Sequence, residues 1–306
     1  MPDIQGWHIS QLPNWRVDWI WSGYIARRNL TLLSSVPKVG KSTLLFHLFK
    51  AMKGNQDFLD QSTVSVPTVL LTEEPVPLLI QRRDEFELAD APLHVLPLQP
   101  GLSWPRCIAY VKRLAIQGYG LIVVDTLSRF WGIADENDAA QVIQALSPLF
   151  ALTRTHNVGI LGLHHTRKTA GAGGRAVRGS NALTGAVDVS IELERLHPYD
   201  KTPCRRLESI SRYGETPDTQ VIELTATGYH VTDAEAGATE RELLKCVGAR
   251  DGCTAADVAE EVMMSERNVQ RVLTQLVARA ILVRTGGGSG SSPYRYAVRA
   301  DGQEER

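Results

Sequence analysis

Ser35-Val36-Pro37-Lys38-Val39-Gly40-Lys41-Ser42-Thr43 is the stretch whose residue types and spacing carry chemistry most directly. A glycine ahead of a lysine and a hydroxyl residue, behind small and kinked residues, lets backbone N–H groups converge on a polyphosphate. In that setting Lys41 neutralises the β- and γ-phosphates of ATP, the Ser42 hydroxyl ligates Mg2+, and Thr43 completes the loop. The strict pattern has glycine where this chain has Ser35, so a Cβ stands where the backbone ordinarily turns most freely. The plainer alternative is a serine-rich turn capping an ordinary helix. What surrounds the stretch argues against it.

Three more groups of residues could complete such a site. Glu73 and Glu74 follow the apolar run TVLLT over 68–72, and a carboxylate there can orient and deprotonate water for attack on a γ-phosphate. Read alone, Glu73-Glu74-Pro75 is a charged turn opening a helix. Asp125 closes the apolar run 121–124, as does the aspartate that holds Mg2+ in phosphate-loop enzymes. The residue after it, Thr126, is not acidic, which returns the role of base to the Glu73-Glu74 pair. His164 and His165 end a further apolar run, where they are candidates for sensing a γ-phosphate, although a lone histidine beside a core is usually structural.

The elements that must position these residues are legible in the spacing of apolar residues. Leu30–Leu33 reads as a buried strand and LLFHLFKAM as a helix, so the loop lies between strand and helix. Strands are expected at 68–72, Leu93–Leu96, 120–125 and Val158–Leu163. Helices are expected at Val76–Phe86, at Ser103–Gln117 and around Val142, Ile143, Leu146, Leu149 and Phe150. Alternating strands and helices predict a three-layer α/β fold with a mostly parallel sheet, whose ligands sit at the C-terminal strand ends. Val187–Glu194, Arg205–Tyr213 and Thr219–Val231 also read as β. Arg212 at one of those ends is either surface decoration or a group that reaches a neighbouring subunit's nucleotide.

The flanks divide the chain further. Residues 1–29 hold Trp7, Trp15, Trp19, Trp21 and Tyr24 and read as an aromatic flap packing on an ATPase domain at 30–232. The glycine-rich stretch 169–179, with Arg167, Lys168, Arg175 and Arg178 and no acid, suits either a solvated loop or a grip on single-stranded DNA. Residues 233–238 read as a linker and 301–306 as a tail. Between them, 239–300 shows short capped helices and an alternating hairpin, the pattern of a winged helix-turn-helix with Ser265–Ala280 as recognition helix. Arg267 and Arg271 on its polar face suit contacts with DNA, the alternative being a winged helix used for protein contact.

Composition sets the outer bounds. With 33 basic and 34 acidic residues, no global field draws the chain to DNA or membrane, so any such contact must be local. The four cysteines, Cys107, Cys204, Cys246 and Cys253, form no CxxC pair, which suits a reducing cytoplasm rather than zinc or disulfides. No apolar run is long enough to span a bilayer. The expectation is a soluble cytoplasmic protein.

The ordered set SSVPKVGKST, TVLLTEEP, LIVVDTLSRF, LGLHHTRK, the glycine-rich loop into RGSNAL, and SRYG resembles the RecA-like ATPases of the DnaB/KaiC superfamily, and most of all RepA-type plasmid replicative helicases. The resemblance covers about residues 14–232. It implies a RecA-like P-loop NTPase core assembled as a homo-oligomeric ring, a hexamer, with ATP between subunits. It also implies roles: Glu73 as catalytic glutamate with Glu74 beside it, Asp125 as the Mg2+ aspartate, His165 as γ-phosphate sensor and Arg212 as arginine finger. The lysine that precedes the finger in that family is Ile210 here. The function expected is a DNA-dependent ATPase, a helicase of a plasmid or other mobile element. The rival readings are an ATP-switched regulator acting through its winged helix, and a recombination or defence ATPase that does not unwind.

Overall fold

The computed structural model describes residues 8–11, 14–133, 135–136, 138–166, 181–196, 203–232, 242–250, 252–262, 264, 266–278, 280–288 and 292–299. The chain divides into two compact units, Met1–Val231 and Thr232–Arg306.

In the first unit, strands β3 (Leu30–Ser35), β4 (Thr68–Thr72), β5 (Leu93–Pro97), β6 (Leu121–Asp125), β7 (Gly159–His165) and β8 (Val189–Arg195) form the parallel part of one sheet. Strands β9 (Cys204–Ser211), β10 (Thr219–Thr225) and β11 (Gly228–Val231) extend it antiparallel. The order is β11-β10-β9-β8-β3-β7-β6-β4-β5. The stretch expected as β over Thr219–Val231, with Gly228 marking a turn, is two strands joined by a tight turn at residues 226–227.

Strands β3, β4 and β6 are buried along their whole length, as expected of parallel strands covered on both faces. Their side chains alternate between two cores. Leu33, Leu70, Leu121 and Val123 meet helix α1 (Lys41–Gly54) on one side, while Leu32, Val69, Leu71, Ile122 and Val124 meet the other. Helices α3 (Trp104–Ile116) and α5 (Ala139–Thr155) supply that second core, α5 through Val142, Leu146, Leu149 and Leu152. This is the three-layer α/β architecture the spacing predicts. Helix α2 (Val76–Glu85) lies after β4, the one-turn helix α4 (Leu127–Phe130) directly after β6, and the short helix α6 (Asn181–Ala186) just before β8.

The N-terminal segment packs aromatic residues on the core, and part of it is strand. Strands β1 (Trp19–Trp21) and β2 (Ile25–Ala26) pair with each other, and Ile20, Trp21, Tyr24 and Ile25 are buried in the same core as α1. The Trp21 indole N–H donates to the Phe58 carbonyl at 3.0 Å, and the Tyr24 hydroxyl to Gln220 at 2.6 Å, so their polar ends are satisfied on burial. Trp15 remains 64% exposed.

The second unit has a core of its own, built from Leu243, Val247, Val258, Val269, Leu273, Leu276, Leu282 and Tyr296 among others. Helical residues 242–248 (α7) precede β12 (Cys253–Thr254), α8 (Ala255–Glu261) and α9 (Glu266–Ala278). Strands β13 (Leu282–Thr285) and β14 (Arg295–Val298) follow, in the sheet order β12-β14-β13. Thr254 accepts a hydrogen bond from the Asp257 N–H while the Asp257 carboxylate accepts from Thr254, a reciprocal cap that fixes the start of α8.

Candidate nucleotide site

The sheet order decides what meets at its C-terminal edge. β7 lies between β3 and β6, pairing Ser35 with His165, and β4 pairs Thr72 with Asp125. The residues just beyond those strand ends, Glu73 and the loop into α1, therefore share one edge with Asp125 and His165.

The loop turns tightly at Lys38, with φ 65°, and at Gly40, with φ 121°. Position 35 still belongs to a strand, so the serine found there costs no left-handed turn. Its hydroxyl instead takes the lysine: Lys41 Nζ donates to Ser35 Oγ at 2.8 Å and lies 2.9 Å from His165 Nδ1. Because an ammonium only donates, Nδ1 is the acceptor there. Lys41 is only 5% exposed. Burial lowers its pKa to about 8, against the opposing pull of Asp125. Of the other loop residues, Val39 is buried, Val36 and Gly40 are half-buried, and Pro37 and Lys38 are exposed.

Asp125 accepts from the Ser42 hydroxyl at 3.3 Å. Burial pushes its pKa up to about 6, helped by Glu74 and Glu73 and opposed by Ser42 and Lys41. A buried carboxylate beside a hydroxyl offers oxygen donors of the kind a hard divalent cation takes. Ser42 and Asp125 are the residues that would hold Mg2+, which supplies charge neutralisation to the phosphates.

The two glutamates are held differently. Glu74 forms a paired contact with Arg82, Nε to Oε2 and Nη2 to Oε1, both at 3.2 Å, with both side chains largely buried. Among the described residues Glu73 meets Arg129, at 2.7 Å, and is the more exposed of the two carboxylates. The two histidines also part company. His165 faces Lys41, whereas His164 pairs with Ser34 across the strands and sits 5.9 Å from the Trp131 ring. Burial, with His165 and Lys41 adding to it, holds His164 near pKa 4 and hence neutral.

Several residues not singled out from the sequence support the loop from outside. Arg205 Nε donates to the Val39 carbonyl at 2.8 Å, and Arg195 Nη2 to the Lys38 carbonyl at 3.3 Å. A Cβ added at Gly40 would lie 2.9 Å from the Tyr229 hydroxyl. Their sequence signal is faint, since two arginines on strands read as surface charge.

Arg212 is not brought to this edge. Ser211 pairs with Val189, and Val189 with Thr31, so Arg212 follows the end of β9 nearest the start of β3. There its Nη1 meets Asp188 Oδ1 at 3.2 Å, with 63% of the Arg212 side chain exposed. A six-residue strand separates it from its own loop, about 20 Å. Arg167, Lys168, Arg175 and Arg178 lie outside the described residues, as do the side chains of Arg267 and Arg271, the linker and the tail.

A mostly parallel sheet that brings a lysine-bearing loop, a buried aspartate and a glutamate to one edge is the arrangement of a P-loop ATPase domain. The chain belongs to the AAA domain family (AAA_25), whose profile matches residues 7–171. Among solved structures, the crystal structure of the RadB recombinase is similar at TM-score 0.49 and 15% identity, over 68% of this chain and 93% of that chain. No curated protein sequence matches the chain. Among the described residues, no helix is long and apolar enough to cross a membrane, and no group of three or more His, Cys, Asp or Glu gathers as a metal site.

Proposed function

We propose that this protein is a DNA-dependent ATPase that assembles as a hexameric ring and works as a replicative helicase of a plasmid or other mobile element. The observation that carries the reading is the convergence of Lys41, Ser42, Asp125, Glu73 and His165 on one strand edge. Glu73 orients the attacking water, Lys41 stabilises charge on the phosphates, and His165, already against Lys41, registers the γ-phosphate. Glu74 is a supporting group, because its carboxylate is committed to Arg82. Arg212, remote from its own loop, fits the arginine finger only when contributed to a neighbouring subunit.

The second unit is proposed as a winged helix, with α9 as recognition helix and the β13–β14 hairpin as wing. Val269, Val272, Leu273 and Leu276 bury one face of α9, as a recognition helix requires of its inner side.

The test is ATP turnover with and without single-stranded DNA, together with strand separation, for wild type, Glu73→Gln and Glu74→Gln. Glu73→Gln should bind nucleotide normally and lose about 10²–10⁴ in kcat, the worth of a general base. Glu74→Gln should keep most of its turnover. Normal hydrolysis by Glu73→Gln would refute the assignment of the base, and turnover without strand separation would refute the helicase.

A further inference from the structure

The Glu73 carboxylate does not stand unattended. Arg129 Nε lies 2.7 Å from Glu73 Oε2, with 59% of the Arg129 side chain and 33% of the Glu73 side chain exposed. Arg129 belongs to α4, which starts two residues after Asp125, and its backbone N–H donates to the Thr126 carbonyl at 3.0 Å. The guanidinium thus leaves the chain at the nucleotide edge while most of it faces solvent. Arg82, which holds Glu74, has a side chain only 17% exposed and grips both carboxylate oxygens. One glutamate is fixed by a buried partner. Its neighbour is held by a cation that other anions can reach.

We propose that Arg129 restrains Glu73 and is also the receiving point for a backbone phosphate of a nucleic-acid strand. A strand phosphate draws the guanidinium away, and the carboxylate is then free to align water. This rests on the reading of Glu73 as the water-orienting group. Lys41 is the buried cation that meets the phosphates of ATP, which leaves the outward-facing Arg129 to an anion arriving from solvent. A phosphate offers the planar guanidinium two parallel hydrogen bonds. An ion pair as exposed as this one restrains its partner by no more than about fivefold, so one good phosphate contact outweighs it.

The experiment compares full-length wild type, Arg129→Ala, Arg129→Gln and Glu73→Gln, measuring kcat and KM for ATP with and without single-stranded DNA. Thermal melts check that each variant is folded, and the second neutral variant stands in if the first is not. Removing the guanidinium should raise strand-free kcat by up to about fivefold, leave KM for ATP unchanged, and shrink strand stimulation to about twofold or less. The double variant Arg129→Ala/Glu73→Gln should show no gain, which ties the effect to the carboxylate. A fall in strand-free kcat, a rise in KM for ATP, or undiminished strand stimulation in the Arg129 variants would each overturn the inference. So would a wild type whose turnover ignores the strand. In those cases an inactive Glu73→Gln leaves the assignment of the base standing, whereas an active Glu73→Gln removes the base and the inference together.

Discussion

Lys41 carries the largest internal conflict of the site. It is a buried ammonium whose pKa is lowered to about 8, held by a serine hydroxyl and an imidazole rather than by a full counter-charge. Its folded pKa lies below the ordinary 10.5, so the charge costs stability below about pH 8, and the cost fades as pH rises from there towards 10.5. Lys41→Met should therefore stabilise the nucleotide-free protein, by an amount on the order of 1–3 kcal/mol near neutral pH. Thermal melts from pH 7 to 10 should show the gap between variant and wild type narrowing upward. The same variant should fail to bind ATP in a fluorescence titration. A constant gap across that range would show that the stability difference comes from packing rather than charge.

At the scale of elements, β7 is the strand that makes the site. Inserted between β3 and β6, it sets His165 against Ser35 and holds Asp125 one strand further off. Its first residue must be small. A Cβ at Gly159 would lie 2.7 Å from the Ala26 carbonyl oxygen, a backbone atom of β2 that cannot step aside. Gly159→Ala should cost about 1–3 kcal/mol. Gly185, in the short helix Asn181–Ala186, has nothing within 4 Å of an added Cβ. Gly185→Ala should be neutral or stabilising by up to about 1 kcal/mol. Chemical denaturation should show Gly159→Ala destabilised and Gly185→Ala not.

The strands and helices that carry the motifs were readable, because each buried strand is a short apolar run and each helix repeats its apolar residues every three or four positions. Pairings between distant segments were not. No spacing in the sequence announces that Glu74 is claimed by Arg82, eight residues on, while Glu73 is left to Arg129. Nor does it show that β9 runs antiparallel, which sends Arg205 to the loop and Arg212 to the other end of the sheet. The aromatics of residues 15–24 look alike in the sequence, yet Trp21, carried inward on β1, is buried, while Trp15, ahead of that strand, is exposed.

At the scale of the molecule, each unit encloses its own apolar interior. Among the described residues, the two cores of the first unit use none beyond Val231, and that of the second begins at Leu243. Residues 1–231 expressed alone should fold and bind nucleotide within about threefold of the full chain, as independent domains do. Calorimetry and a nucleotide titration check this. Loss of binding would mean that the second unit completes the first.

The last strand of the first unit adds a mechanical aspect to that division. Tyr229, whose hydroxyl backs the glycine of the phosphate loop, stands two residues before the chain departs for the second unit. The chain thus leaves its first unit directly from the strand that backs the lysine-bearing loop. A deletion that cuts into that strand should therefore loosen the glycine turn, whatever becomes of the second unit.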